Sequence, residues 1–109
     1  MNFQDYEEAV QRTMNMKTTW REQMCNFLMG LAGEVGEVTE PVKKHLFHGK
    51  PLDLDKIKAE LGDVLWYLTA VADTMGFHLE DIAQHNADKL AKRYPNGFHG
   101  RRHEEGDGA

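Results

Sequence analysis

Along most of the chain, apolar residues recur every three or four positions, the spacing that puts them on one side of an α-helix. Phe3, Tyr6, Val10 and Met14 follow this rhythm behind Asn2, a residue suited to an N-cap, and predict a helix from about residue 3 to 15. Trp20, Met24, Phe27, Leu28, Leu31, Val35, Val38, Val42 and Leu46 extend it from Trp20 to Phe47, with Thr18 or Thr19 as cap. Pro41 falls inside that run, where a missing backbone donor is expected to kink or divide the helix. His48 to Pro51 reads as a turn. Asp53 then caps a third helix through Ile57, Leu61, Val64, Leu68 and Val71 to Met75, closed by Gly76. A fourth begins near Leu79, with Glu80 and Asp81 in its first turn, and runs to Arg93 or Tyr94 before Pro95. No segment alternates as a strand does. The pattern therefore predicts an all-α bundle of four to five helices over residues 1–98, with 99–109, rich in Gly, His and charge, as a flexible tail.

With 109 residues the chain is one domain near the small end for independent stability, so completion of its core by oligomerisation is expected. A net charge of −5 and the lack of a long basic block disfavour binding to long nucleic acid. Apolar runs of only a few residues do not span a bilayer, and the acidic N-terminus is unlike a secretory signal, so a cytoplasmic protein is expected. The single Cys25 sits in an apolar stretch and reads as a buried thiol. His45, His48, His78, His85, His99 and His103 show no helical pair on an apolar face that would suggest zinc.

Four carboxylates carry the candidate chemistry. Glu34 and Glu37 are one helical turn apart, as are Glu60 and Asp63, so two helices each project an acidic pair from one face. Two acids at this spacing are usually a solvated face. Here they interrupt the apolar segments Leu28 to Val38 and Ala59 to Leu68, which argues against simple solvation. Should the two faces meet, four carboxylates would repel unless cations or protons separate them. Oxygen ligands without sulfur or imidazole suit Mg²⁺, with Mn²⁺ as a substitute. A di-iron carboxylate bundle expects Glu-x-x-His, which neither pair provides. Gly30, Gly33, Gly36 and Gly62 lie within the same segments, each costing a helix about 1 kcal/mol against Ala, which implies close approach of the backbone to a neighbour.

The pattern Glu34-Val35-Gly36-Glu37, a spacer, then Glu60-Leu61-Gly62-Asp63 resembles the MazG-like branch of the all-α nucleoside triphosphate pyrophosphohydrolases. Asn86-Ala87-Asp88-Lys89-Leu90-Ala91-Lys92-Arg93-Tyr94-Pro95 is similar to that branch's Asn-x-x-Lys-Leu-x-x-Arg-Tyr-Pro segment. The likeness covers roughly residues 3 to 98. It implies Mg²⁺-dependent hydrolysis of a ribo- or deoxyribonucleoside triphosphate to the monophosphate and pyrophosphate, in nucleotide-pool control or house-cleaning, by a homodimer or homotetramer.

On that likeness Glu34, Glu37, Glu60 and Asp63 are the metal ligands, and Glu37 is the candidate to orient water. Some members of the superfamily carry a further Glu before the first pair. Here that position is Gly33, which leaves proton abstraction to one of the four carboxylates or to the metal's own water. Asn86, Lys89 and Arg93 share a face of the last helix and could meet phosphate or sugar. Lys44 is placed to reach a phosphate, although a surface lysine is the simpler reading. Tyr67, with Phe27 or Trp66, could stack on a base, against core packing as the alternative. Two other functions compete: a phosphoribosyl-ATP pyrophosphohydrolase-like enzyme, and a non-catalytic helical oligomerisation module.

Overall fold

The computed structural model describes residues 1–98, so the expected tail of 99–109 lies outside the described residues. Four helices follow one another: α1 (Phe3–Gln11), α2 (Trp20–His48), α3 (Leu54–Met75) and α4 (Leu79–Arg93). The all-α expectation is met, with no strand among the described residues beyond an isolated bridge between Pro95 and Gly97. No helix among them is long and apolar enough to cross a membrane.

The helix boundaries follow from local chemistry. Asn2 accepts the Asp5 N–H at 2.7 Å and starts α1. This helix is shorter than its apolar spacing suggests: beyond Gln11 the chain turns, with the Thr13 hydroxyl donating to the Val10 carbonyl at 2.8 Å. Met14 nevertheless reaches the core from that turn. Thr19 and Glu22 close a reciprocal capping box on α2. The hydrogen bond from the Thr19 backbone, followed by that from its side chain, holds the Glu22 carboxyl below its usual value. Asp53 caps α3, and Gly49 and Gly76, with φ of 68° and 83°, end α2 and α3 in the left-handed conformation that disfavours a Cβ.

Pro41 does not divide α2. It is buried within one continuous helix of 29 residues. Cys25, in turn, is exposed rather than buried: its neighbours Met24 and Phe27 take the core-facing side of α2, and Cys25 falls outside it.

The short connection after Gly49 makes α2 and α3 an antiparallel pair with the most extensive packing in the fold, while α1 bridges α3 and α4. Val10, Met14, Phe27 and Ala70 form the core, with Tyr6, Trp66, Tyr67 and Val71 against it. Two polar contacts fasten α1 and the turn after it to α3: Trp66 Nε1 donates to Thr13 Oγ1 at 2.8 Å, and Gln11 Nε2 to Asp73 Oδ1 at 2.7 Å. Glu7 ties α1 to α4 by accepting the Leu79 N–H at 2.7 Å. The buried core is thus at one end of the α2–α3 pair, next to the acidic positions.

Candidate metal centre

Because α2 and α3 run antiparallel, the turn that follows Phe27 on α2 faces the turn that precedes Ala70 on α3. Gly30 then meets Tyr67, and one turn further Glu34 meets Asp63 and Glu60. Glu34, Glu60 and Asp63 each offer a carboxylate oxygen within 4.8 Å of the others. This is the convergence that the two i, i+3 pairs anticipate. Glu37 is not in that group: its side chain is exposed, although its charge still acts on Glu34.

Glu34 is the perturbed member of the group. Its Oε2 is closed off from solvent and receives no hydrogen-bond donor. Its carboxyl is pushed above the usual carboxylate range, first by burial, then by a hydrogen bond with Glu60, and then by the charges of Asp63, Glu60 and Glu37. Two carboxylates can hydrogen-bond only by sharing a proton, so the cluster without a cation favours holding one. Lys56 offsets part of the charge, its Nζ lying 3.3 Å from Glu60 Oε1 one turn earlier on α3. Tyr6 reaches the same region from α1; burial and then the charge of Asp63 raise its hydroxyl pKa.

Glu34 and Asp63 open into a cleft of about 340 Å³ whose other walls are Trp66 and Tyr67. The rings meet edge to face, 5.0 Å between centroids, and Trp66 in turn contacts Phe27 at 5.8 Å. Phe27 itself is core. Of the aromatics expected near a base, Tyr67 and Trp66 therefore line the acidic cleft and Phe27 supports them from behind.

Thirty-eight per cent of residues are identical over 80 residues to the "Gene 37 protein" of Mycobacterium phage L5, covering 70% of each chain. The profile of the MazG nucleotide pyrophosphohydrolase domain matches residues 22–98. The chain belongs to the MazG family. No solved structure matches it significantly. The family match spans both acidic pairs and the Asn86 to Pro95 segment.

Other expected substrate contacts lie elsewhere. Asn86 and Lys89 are exposed on α4, and half-buried Arg93 stacks over the Tyr94 ring at 5.9 Å from its centroid; none of the three lines the acidic cleft. Lys44 lines a separate cleft of about 400 Å³ at the α2–α3 turn, together with Lys50 and Lys56. The glycine expectation holds at one position only. A Cβ at Gly30 would overlap the Cδ1–Cε1–Cζ side of the Tyr67 ring, whereas Gly33, Gly36 and Gly62 have nothing within 4 Å of where theirs would stand. Sequence reasoning missed Lys56 as partner of Glu60, although the i, i+4 spacing announces it. It also missed Tyr6, whose approach to Asp63 depends on how α1 docks.

Proposed function

We propose that this MazG-family chain hydrolyses nucleoside triphosphates, ribo- or deoxyribo-, to the monophosphate and pyrophosphate, using Mg²⁺ held by Glu34, Glu37, Glu60 and Asp63. The observation that carries the reading is the meeting of three carboxylates from two helices within 4.8 Å, with a solvent-shielded oxygen of Glu34 lacking any donor. A hard divalent cation would suit such a set, because it would supply positive charge where Oε2 has no donor and its preferred ligands are oxygens. Mn²⁺ meets the same demands. Glu37, exposed one turn from Glu34, would be the fourth ligand.

A divalent cation held by these carboxylates would, when bound, neutralise phosphate charge and lower the pKa of a water molecule. The protein's own part is positional. Glu34, Glu60 and Asp63 fix the acidic floor, Tyr67 and Trp66 form a rigid apolar wall for the nucleoside, and Glu37 orients water and accepts its proton. Water's oxygen bonds to phosphorus as the anhydride between the α and β phosphates opens, and pyrophosphate leaves with the bridging oxygen. Asn86, Lys89, Arg93 and Lys44 serve the phosphates or sugar once substrate bridges the gap from α4 and the α2–α3 turn. Such an enzyme acts where triphosphates are made and used, in the cytoplasm, on the nucleotide pool.

The working unit of this proposal is a homodimer or a dimer-based tetramer. Leu28, Val35 and Leu46 form an exposed stripe on α2, and Leu54, Leu61, Leu65 and Leu68 form another on α3. On α3 this stripe is turned away from the α2-facing side that carries Glu60, Asp63 and Tyr67; Leu65 at its edge lines a cleft with Phe3, Tyr6 and Leu79, while Leu54 and Leu61 stay more than half exposed. The deciding experiment incubates the protein and Mg²⁺ with all common ribo- and deoxyribonucleoside triphosphates and separates the products. Monophosphate and pyrophosphate in equal amounts are expected; inorganic phosphate in place of pyrophosphate would refute the reaction.

A further inference from the structure

We propose that Gly30 is a positioning residue for the nucleotide, acting through Tyr67: the missing Cβ is a seat that holds the phenol ring back from the cleft beside Glu34 and Asp63. This deepens the triphosphate reading and rests on it.

Four glycines interrupt the helical segments around the acidic pairs, yet only Gly30 has a steric reason in the fold. A Cβ built there meets Cε1, Cζ and Cδ1 of Tyr67, while one at Gly33, Gly36 or Gly62 meets open space. The contact is with the ring body rather than a flexible tip, so a methyl group at residue 30 cannot be absorbed by a small shift. Aromatic side chains on helices occupy a few staggered wells, and leaving one means moving to another. Trp66 blocks one direction with its edge-to-face contact, and is itself fixed by Phe27 and by its hydrogen bond to Thr13. The ring's open side is the cleft of about 340 Å³ that it walls together with Glu34, Asp63 and Trp66. Displacing it there fills the space that a nucleoside needs, without touching the carboxylates.

The test compares Gly30→Ala, Tyr67→Ala and the double variant with the unmodified protein. Readouts are KM and kcat on the triphosphate panel, Mn²⁺ affinity by electron paramagnetic resonance, and near-ultraviolet circular dichroism of the Trp66–Tyr67 pair. Gly30→Ala should raise KM about tenfold or more, as small misplacements at a site do. It should change Mn²⁺ affinity by less than about twofold, since the ligands are untouched. In the Tyr67→Ala background the same substitution should have no effect, because the clash is gone. Unaltered KM in Gly30→Ala, or an equal loss in both backgrounds, overturns the proposal. If Gly30→Ala does not fold, the double variant should regain the fold, and its failure to do so also overturns it. If Tyr67→Ala turns over too slowly to assay, the aromatic dichroism decides: it must change in Gly30→Ala, and an unchanged band is a refutation. Absence of triphosphate turnover in the unmodified protein defeats the functional reading itself, and this inference with it; turnover there with an inert Gly30→Ala defeats only the inference.

Discussion

Glu34 is the residue where burial, charge and chemistry meet. Its raised carboxyl pKa means that the folded chain binds its proton more tightly than the unfolded chain does. Its contribution to stability is therefore present below the ordinary value of 4.5 and lost as pH rises through the higher folded value. Melting temperature without divalent cation should fall across that window, and Mg²⁺ should restore it at neutral pH. Glu34→Gln should flatten the metal-free trend; an unchanged slope in thermal melts would show that the trend has another source. Asp63→Asn and Glu37→Gln keep side-chain size while each removes one acidic charge from the crowd. Pyrophosphate release should drop by about a hundredfold or more in each, the scale of lost electrostatic stabilisation at a reacting centre. Helical circular dichroism should stay intact, and metal-free stability should rise. Near-normal turnover in both variants would remove the metal assignment.

At the scale of the element, α2 depends on its first turn. The Thr19–Glu22 box satisfies two backbone donors at the start of a helix that carries Gly30, Glu34 and Glu37. Thr19→Ala should cost about 1 kcal/mol. For a domain of this size that lowers the melting temperature by roughly 4–8 °C. The lowered Glu22 carboxyl adds the opposite pH signature to that of Glu34: its contribution exists above 4.5 and disappears as pH falls through the folded value. The same substitution should weaken this acid-side loss, which calorimetry at several pH values would detect. Gly30 shows how one element's backbone is shaped by another's side chain: α2 gives up a helix-favouring residue where α3 brings a phenol ring.

For the whole molecule, the balance of buried and exposed apolar surface is unusual. The fully buried apolar core is confined to a few residues, and the α2 and α3 stripes leave Val35 51% and Leu61 52% exposed. The radius of gyration is 17.3 Å. A compact domain of about 100 residues has roughly 13 Å. In the proposed homo-oligomer a second copy would bury the stripes of this open hairpin, gaining about 25 cal/mol per Å² of apolar surface. Light scattering should give a multiple of the 12.5 kDa chain mass, and Leu61→Glu or Leu65→Glu should shift it toward the monomer with a lower melting temperature. A folded 12.5 kDa species at micromolar concentration in the unmodified protein would contradict this.

The sequence by itself determined what is local. Helix starts at Asn2, Thr19 and Asp53 and stops at Gly49 and Gly76 follow from capping and left-handed geometry, which need only the chain's nearest neighbours. The spacing of Glu34 with Glu37 and of Glu60 with Asp63 likewise fixed which side of its helix each acid occupies. The motifs around them pointed to the family that the full comparison shows. Tertiary structure decided the rest, because periodicity gives a face but neither the register nor the rotation of one helix against another. Those set that Glu34, Glu60 and Asp63 converge while Glu37 stands at the open edge, and that Gly30 alone of the helix-interior glycines meets a side chain. They also bring Trp66 and Tyr67 to the cleft and leave Cys25 exposed despite its apolar neighbours. Such outcomes depend on contacts between residues on different helices, such as Glu34 with Asp63 and Gly30 with Tyr67, and no repeat of three or four residues encodes them.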